Sequence, residues 1–303
     1  MPQPAEGEVL LRHDWLGLAP AARLRMSETG SYSAPTALGD VVYGQAVGTV
    51  LESRHPAFAP GDMAMSMRAG WQCFSTAPGE QLDSIDPALA PPPVWLGALG
   101  TSGLAAYIGL LDLGQPVAGE TVVVSAAAGA VGSVAGQIAK IKGCRVVGIA
   151  GGADKCRVAV EAFGYDACVD HRSPTLADDL ARACPDGINV SFENAGGVSR
   201  DAAWASMAQG GRVVVCGLIA EYNDPQAIGP GWYTLLTRRL TVRGYITSDH
   251  IHRRDAFIAD MSRWWREGRI HMRQDVSVGL ESAPAAFIGM LQGHNQGKVL
   301  VKV

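Results

Sequence analysis

Apolar positions change their period sharply between Thr121 and Lys155, where the chain reads TVVVSAAAGAVGSVAGQIAKIKGCRVVGIAGGADK. The β-branched run Thr121 to Val124 predicts a buried strand, and the small residues Ser125 to Ala128 predict a turn. Val131, Val134, Ile138 and Ile141 then recur at spacings of three, four and three, which puts them on one stripe of a helix. A second apolar run, Arg145 to Ile149, follows at once. Strand, helix and strand in that order make a unit that closes by a right-handed crossover in a parallel sheet. A membrane span is the competing reading, since no charge falls between Glu120 and Lys140 and roughly 20 apolar residues cross a bilayer. Ser125, Ser133, Gln137 and the glycines at 129, 132 and 136 argue against it.

The pattern to either side is of two kinds. Residues Glu8 to Leu18 read as a strand, LAPAARLRM as a turn of helix, and Asp40 to Met67 as short strands punctuated by Gly and Pro, which predicts a small barrel or sandwich. The proline-rich passage from Ala77 to Pro93 ends this first domain. Gly100 to Leu111 predicts a helix. After the central unit, helical patterns over Lys155 to Phe163 and Leu176 to Cys184 alternate with extended ones over Ala167 to Val169 and Ile188 to Phe192. Strands are predicted at Arg212 to Val215 and Leu240 to Thr247, then a long amphipathic helix from Ile251 to Arg266, then a terminal strand, Lys298 to Val303. Such alternation predicts an α/β domain, doubly wound around a parallel sheet, with ligands at the carboxyl ends of its strands. Two of those ends carry polar or glycine-rich text, Glu193 to Gly197 and Cys216 to Asn223.

Composition narrows the partners. A chain of 303 residues holds two domains around separate cores, and 37 glycines with 7% aromatic residues suit a turn-rich α/β protein. A net charge of −4 offers no basic footprint for nucleic acid or anionic lipid, which leaves small molecules and further copies of the chain. Met1 to Gly7 has neither the basic start nor the apolar core of a secretory signal, so a cytoplasmic location is expected. Six cysteines without any CxxC pair predict reduced thiols rather than disulfides or a structural zinc site.

The glycines of the central unit sit where a dinucleotide needs them. Gly129 lets backbone approach a pyrophosphate, Gly132 lets the helix pack close to the strand, and the first N–H groups of the helix, beginning at Ala130 and Val131, meet the phosphate charge. Ala127 stands where the first glycine of the fingerprint usually falls. Close helix packing in any doubly wound sheet would account for the same glycines. At the end of the second strand stand Gly151 and Gly152, then Lys155 and Arg157, with no acid at the tip to hold a ribose hydroxyl. That favours a 2′-phosphate. Asp154 reads as a helix N-cap, and Lys155 is otherwise a solvated helix charge.

On the residues AAAGAVGSVAGQIAKIKGCRVV, FENAGG, CGLIAEYN and NQGKVLVKV, the chain resembles the zinc-free medium-chain dehydrogenase/reductases. These are the prostaglandin reductases, the plant alkenal double-bond reductases and, most nearly, the bacterial NADPH-dependent curcumin reductases. The resemblance implies a GroES-like β-barrel substrate domain over residues 1–94, completed by 271–303, and a Rossmann domain binding NADPH over 95–270. It implies a homodimer and reduction of a carbon–carbon double bond conjugated to a ketone or aldehyde. Carried over by position, Gly129, Ala130, Val131 and Gly132 resemble the pyrophosphate loop, Lys155 the 2′-phosphate cation, and His171 a residue beside that phosphate. Asn194, Cys216, Gly217, Leu218, Ile219, Tyr222, Tyr245, Ile246, Thr247 and Asn295 resemble the lining of the nicotinamide and its ribose. Two departures stand out. Ala19, Pro20, Ala21 and Ala22 occupy a place where relatives carry an acid, a proline and a tyrosine. Relatives also begin roughly 30 residues earlier, enough for a hairpin of average strands, so either the start is truncated or this branch dispenses with the hairpin.

Hydride delivered to the β carbon of an enone puts negative charge on the carbonyl oxygen, and a neutral donor must meet it. Tyr222 is the candidate catalytic residue, because a phenol of pKa about 10 keeps its proton at neutral pH. As a partly buried aromatic that caps its loop, the same tyrosine would be structural only. No metal is expected, for neither HExxH nor a four-cysteine lobe is present, and His250 and His252, two apart, would point to different sides of a helix. A zinc-free quinone oxidoreductase and a weakened NADPH-binding scaffold are the alternative functions.

Overall fold

The computed structural model describes residues 1–27, 34–223 and 228–303. Its first segments are β1 (Glu8–Gly17), α1 (Ala21–Arg25), β2 (Gln45–Ser53), β3 (Met63–Ser66), β4 (Phe74–Pro78) and β5 (Leu82–Ser84). There follow α2 (Thr101–Tyr107), β6 (Thr121–Ser125), α3 (Ala130–Ile141), β7 (Arg145–Ala150), α4 (Ala153–Phe163), β8 (Ala167–Asp170) and α5 (Leu176–Ala183). Next come β9 (Ile188–Glu193), α6 (Gly197–Ala205), β10 (Met207–Val215), α7 (Trp232–Arg238), β11 (Thr241–Gly244) and α8 (Arg254–Arg266). β12 (Gln274–Val278), α9 (Ala283–Leu291) and β13 (Lys298–Lys302) close the chain. Two compact units result, Met1–Gly100 with Arg273–Val303, and Thr101–Met272.

In the first unit the strands run β12-β13-β1-β2-β3-β5, with β4 also paired to β1. All the pairings are antiparallel except β12 with β13. Leu16, Val299 and Val301 pack with Phe287 and Met290 of α9, and Val9, Leu11 and Val50 form a second cluster with Phe58. Lys298 is out of keeping with these surroundings. It is 3% exposed, and its ammonium donates to the Leu18 carbonyl at 3.0 Å.

The second unit is one parallel sheet in the order β11-β10-β9-β6-β7-β8. β6 is buried along its whole length, as expected of a strand with helices on both faces. The chain order reverses between β6 and β9, so loops leave their carboxyl ends in opposite directions and open a crevice there.

Local geometry departs from the sequence pattern in several places. The helix predicted to Leu111 keeps α geometry only to Tyr107, then widens into a π turn over Ile108–Gly114. Two contacts hold the wider turn. A Cβ on Gly109 would lie 2.5 Å from the Tyr245 hydroxyl, and Arg212 donates to the carbonyls of Gly114 and Gln115 at 3.0 Å each. The helix predicted from Ile251 starts at Arg254, because His250 leaves helical geometry at φ −113°, ψ 24°. That kink overturns the divergent placing of His250 and His252, whose ring centroids lie 5.9 Å apart. Asp154 is not the N-cap of α4: Gly152 holds that place, and Asp154, in the first turn, pairs with Arg157 at 2.7 Å.

Burial pushes the Lys298 ammonium down to about 8. The unfolded chain, with lysine near its ordinary value, binds the extra proton between that pH and about 10.5, so stability rises with pH across this window. Below it the charge costs the fold about 3 kcal/mol at 1.36 kcal/mol per pKa unit. Lys298→Met is therefore expected to raise the melting temperature at pH 7 and to flatten the rise between pH 8 and 10.5. Equal slopes in parent and variant would show that Lys298 is not the titrating group.

Candidate active site at the reversal of strand order

The crevice is built on a buried hydrogen-bond cluster. The Ser125 hydroxyl, at the end of β6, donates to Oε1 of Glu193, at the end of β9, at 2.5 Å. The same carboxylate oxygen accepts the backbone N–H groups of Ala195 (2.7 Å) and Gly196 (2.8 Å). Glu193 is 1% exposed, and burial raises its carboxyl above the usual range although all three donors oppose the shift. Asn194 completes the tie, its N–H donating to Ser125 Oγ at 2.7 Å and its side-chain amide to the Ser125 carbonyl at 2.8 Å.

The stretch after β10 hangs from this cluster. Cys216 and Gly217 donate their N–H groups to the Glu193 carbonyl, Ile219 donates to Asn194 and Ala220 to Ala195. Glu221 reaches α6, accepting the Gly197 N–H at 2.8 Å and the Arg200 guanidinium at 2.5 Å. So braced, the stretch Cys216–Tyr222 folds back on itself. The Tyr222 hydroxyl lies 3.2 Å from where a Cβ on Gly217 would stand. Leu218 and Ile219 are partly exposed between them. Tyr245 points elsewhere: its hydroxyl donates to the Ala105 carbonyl at 2.5 Å and meets Cys216, whose thiol burial pushes up to about 11. Ile246 and Thr247 follow it at the start of a 3₁₀ turn. Asn295 belongs to the first unit, where its amide donates to the Gly297 carbonyl at 2.9 Å.

On the other side of β6 the chain turns into α3. The left-handed residue of this turn is Ala126 (φ 49°), one place before the expected fingerprint position, Ala127. An L residue there costs about 1–2 kcal/mol. Gly129 is the N-cap of α3, with no side chain capping the first turn, so the N–H groups over Ala130 and Val131 remain for a ligand. Gly132 has a different task. A Cβ there would lie 2.3 Å from the Ala126 carbonyl oxygen, which places the helix against its own entry turn.

At the tip of β7, cations gather. The His171 ring lies 2.8 Å from where a Cβ on Gly151 would stand, and the Arg172 guanidinium is within 3.5 Å of the same point and of its counterpart on Gly152. Burial holds the His171 imidazole below its ordinary value, and nearby Arg172 and Lys155 add to the effect against Asp170. Asp170 could have supplied an acid, but its Oδ1 accepts the backbone N–H groups of Gly152 (2.8 Å) and Arg172 (2.9 Å). Those bonds, with the charges of His171 and Arg172, hold its carboxyl below the usual range against burial. Sequence reasoning missed Arg172, Glu193, Ser125 and the Arg200–Glu221 pair. A lone acid ending the apolar run INVSFE was the available signal for Glu193. Among the described residues, no three His, Cys, Asp or Glu side chains group as ligands of a metal ion.

The two loop glycines separate packing from ligand contact. Gly132→Ala must push backbone apart, and overpacking of this kind costs about 1–3 kcal/mol. Gly129→Ala meets only the Ala126 carbonyl oxygen, at 3.1 Å. Thermal melting is expected to show a clear loss for the first and a small one for the second; the reverse order would contradict the packing described.

The chain matches a family model described as "N-terminal domain of oxidoreductase" over residues 1–85 and one described as "Zinc-binding dehydrogenase" over residues 130–264. It is 44% identical to the NADPH-dependent curcumin reductase of Escherichia coli, covering 99% of this chain and 89% of that protein. To prostaglandin reductase 1 of Bos taurus it is 36% identical, over 100% of this chain and 91% of the other. The crystal structure of CurA from Vibrio vulnificus in complex with NADPH superposes with a TM-score of 0.93 at 43% identity, over 100% of this chain and 92% of that one. With its parallel sheet, its antiparallel sheet and likeness running along its whole length, the chain belongs to the medium-chain dehydrogenase/reductase family, in the branch of the curcumin and prostaglandin reductases.

Proposed function

We propose that the chain is an NADPH-dependent reductase of carbon–carbon double bonds conjugated to a ketone or aldehyde, with Tyr222 as the catalytic residue. One observation carries the assignment. The Tyr222 hydroxyl is turned back over Gly217 at the carboxyl end of β10, in a stretch braced to the strand reversal through Glu193 and Glu221. The likeness to NADPH-dependent curcumin reductase supports the reaction class.

The donor set fits the cofactor. The uncapped start of α3 at Gly129 to Gly132 suits a pyrophosphate, and Lys155, His171 and Arg172 beside Gly151 and Gly152 suit a 2′-phosphate. Asp170 faces backbone N–H groups, which removes the competing acid. Asn194, Cys216 to Ile219, Tyr245 to Thr247 and Asn295 are the further cofactor contacts in this reading, Tyr245 and Asn194 acting mainly by holding their loops. The bound cofactor supplies the hydride. Tyr222 donates a hydrogen bond to the substrate carbonyl as negative charge develops there, and this phenol or water delivers the proton to the α carbon. Residues 1–94 with 271–303 form the substrate domain and 95–270 the cofactor domain.

The reaction as proposed needs no zinc. A homodimer follows from the edge of the parallel sheet, where every residue of β11 is exposed and Trp232, Tyr233 and Leu236 of α7 stand 81%, 78% and 71% exposed. Six free cysteines among the described residues suit the reducing cytoplasm. Elemental analysis, sedimentation mass and cell fractionation respectively check these three points.

Lys155→Ala is expected to weaken NADPH binding roughly 10- to 100-fold, the worth of a charge-assisted hydrogen bond, and to leave NADH nearly unchanged. Fluorescence titration decides it; a parent that binds NADH more tightly would refute the assignment of the cation cluster.

Tyr222→Phe is expected to lower kcat on an enone roughly 10²-fold or more, as when one oxyanion donor is removed, with NADPH affinity and melting temperature little changed. Lost stability with a normal rate would make Tyr222 structural. NADPH oxidation against enals, enones, quinones and aldehydes tests the reaction itself, and turnover of quinones alone would replace it with quinone reduction.

A further inference from the structure

Two thiols stand outside the chemistry proposed above. Cys156 lies on α4, one residue past Lys155, and Cys168 lies on β8, which leads directly to Asp170 and His171. α4 packs on β8, and the two side chains meet in a thiol–thiol hydrogen bond. Gly148 on β7, in register with Cys168, makes the room: a Cβ there would lie 2.9 Å from the Cys168 sulfur. Both cysteines are half-buried, whereas Cys144 and Cys184 are buried. The pair is also asymmetric. The hydrogen bond from Cys168 holds the Cys156 thiol below its ordinary value, while the same bond, together with burial, pushes Cys168 up. One sulfur deprotonates readily and the other keeps a proton to give.

We infer that Cys156 and Cys168 form a dithiol that peroxides oxidise to a disulfide, and that this disulfide weakens the cation cluster at Lys155, His171 and Arg172. The Cys156 thiolate attacks one oxygen of hydrogen peroxide; an S–O bond forms, the O–O bond breaks, and the departing hydroxide takes a proton from solvent as water. The Cys168 sulfur then attacks the sulfenic sulfur; the S–S bond forms, the S–O bond breaks, and hydroxide leaves with the Cys168 proton as a second water. Two thiols are oxidised and one peroxide is reduced to two waters. A disulfide draws the sulfurs to about 2.05 Å, well inside hydrogen-bond separation, so the first turn of α4 must move against the end of β8. Lys155 rides on the first of these elements, while His171 and Arg172 follow the second. The loss of nucleotide affinity rests on the NADPH reading above; the disulfide does not.

The test treats the full-length reduced protein with a small excess of hydrogen peroxide and alkylates the remaining thiols. Cross-links are mapped by mass spectrometry, and NADPH is titrated before and after. The expected result is a Cys156–Cys168 cross-link that dithiothreitol reverses, and a dissociation constant for NADPH raised roughly 5-fold or more, the lower range of coupling between sites. Cys156→Ser and Cys168→Ser, each melting like the parent, should lose both effects, and Cys168→Ser should stop at a sulfenic acid on Cys156 that dimedone traps. Both thiols remaining alkylatable after peroxide, or a cross-link that leaves NADPH affinity unchanged, would overturn the inference. If the reduced protein failed to bind NADPH, the cofactor assignment would fall, and the mass of the cross-link would still decide the thiol chemistry.

Discussion

A parallel sheet whose strand order reverses must hold two diverging loops at one point, and here that point is a single carboxylate oxygen. Ser125 and Glu193 face each other at the ends of neighbouring strands. An acid 1% exposed is costly to bury unless donors converge on it, and a hydroxyl and two backbone N–H groups do so. The backbone around Glu193 then sets the rest. Its carbonyl takes the N–H groups of Cys216 and Gly217, and the next two carbonyls take those of Ile219 and Ala220. Tyr222 is thus placed by a chain of backbone bonds that starts at the strand reversal.

The two buried charges of the protein are treated differently. Glu193 is surrounded by donors, whereas Lys298 has the Leu18 carbonyl as its acceptor and burial as the cause of its shift. Ala19, the residue after that carbonyl, stands where the resemblance places an acid. A methyl group cannot supply the counter-charge. Burial without compensation lowers the stability of the first unit, while the crevice in the second draws its rigidity from compensation.

What was legible in the sequence follows from range. The unit from β6 to β7 is fixed by local period and by glycine spacing, and its limits lie close to those read from the text. Gly132 announces itself because its partner is the turn six residues back. Glu193 and Ser125 are 68 residues apart, and nothing local marks them as partners. The π turn is likewise set from outside, by Tyr245 and Arg212, on a segment whose own composition favours an ordinary helix. His250 breaks a pattern that continues on both sides of it, and Arg172 reaches the tip of β7 only because β8 lies beside β7. Sites assembled across strands are visible only after the strands are ordered.

The placing of β13 has a consequence for synthesis. The second unit is one continuous stretch, complete once Met272 has left the ribosome. The first is not, because β13 pairs with β1 on one side and β12 on the other, and Lys298–Lys302 are translated long after β1 to β5. Leu16 and Leu18 must therefore wait, without Val299 and Val301 to cover them, through the synthesis of the whole cofactor unit. In vectorial terms the half of the chain that is made first is finished last.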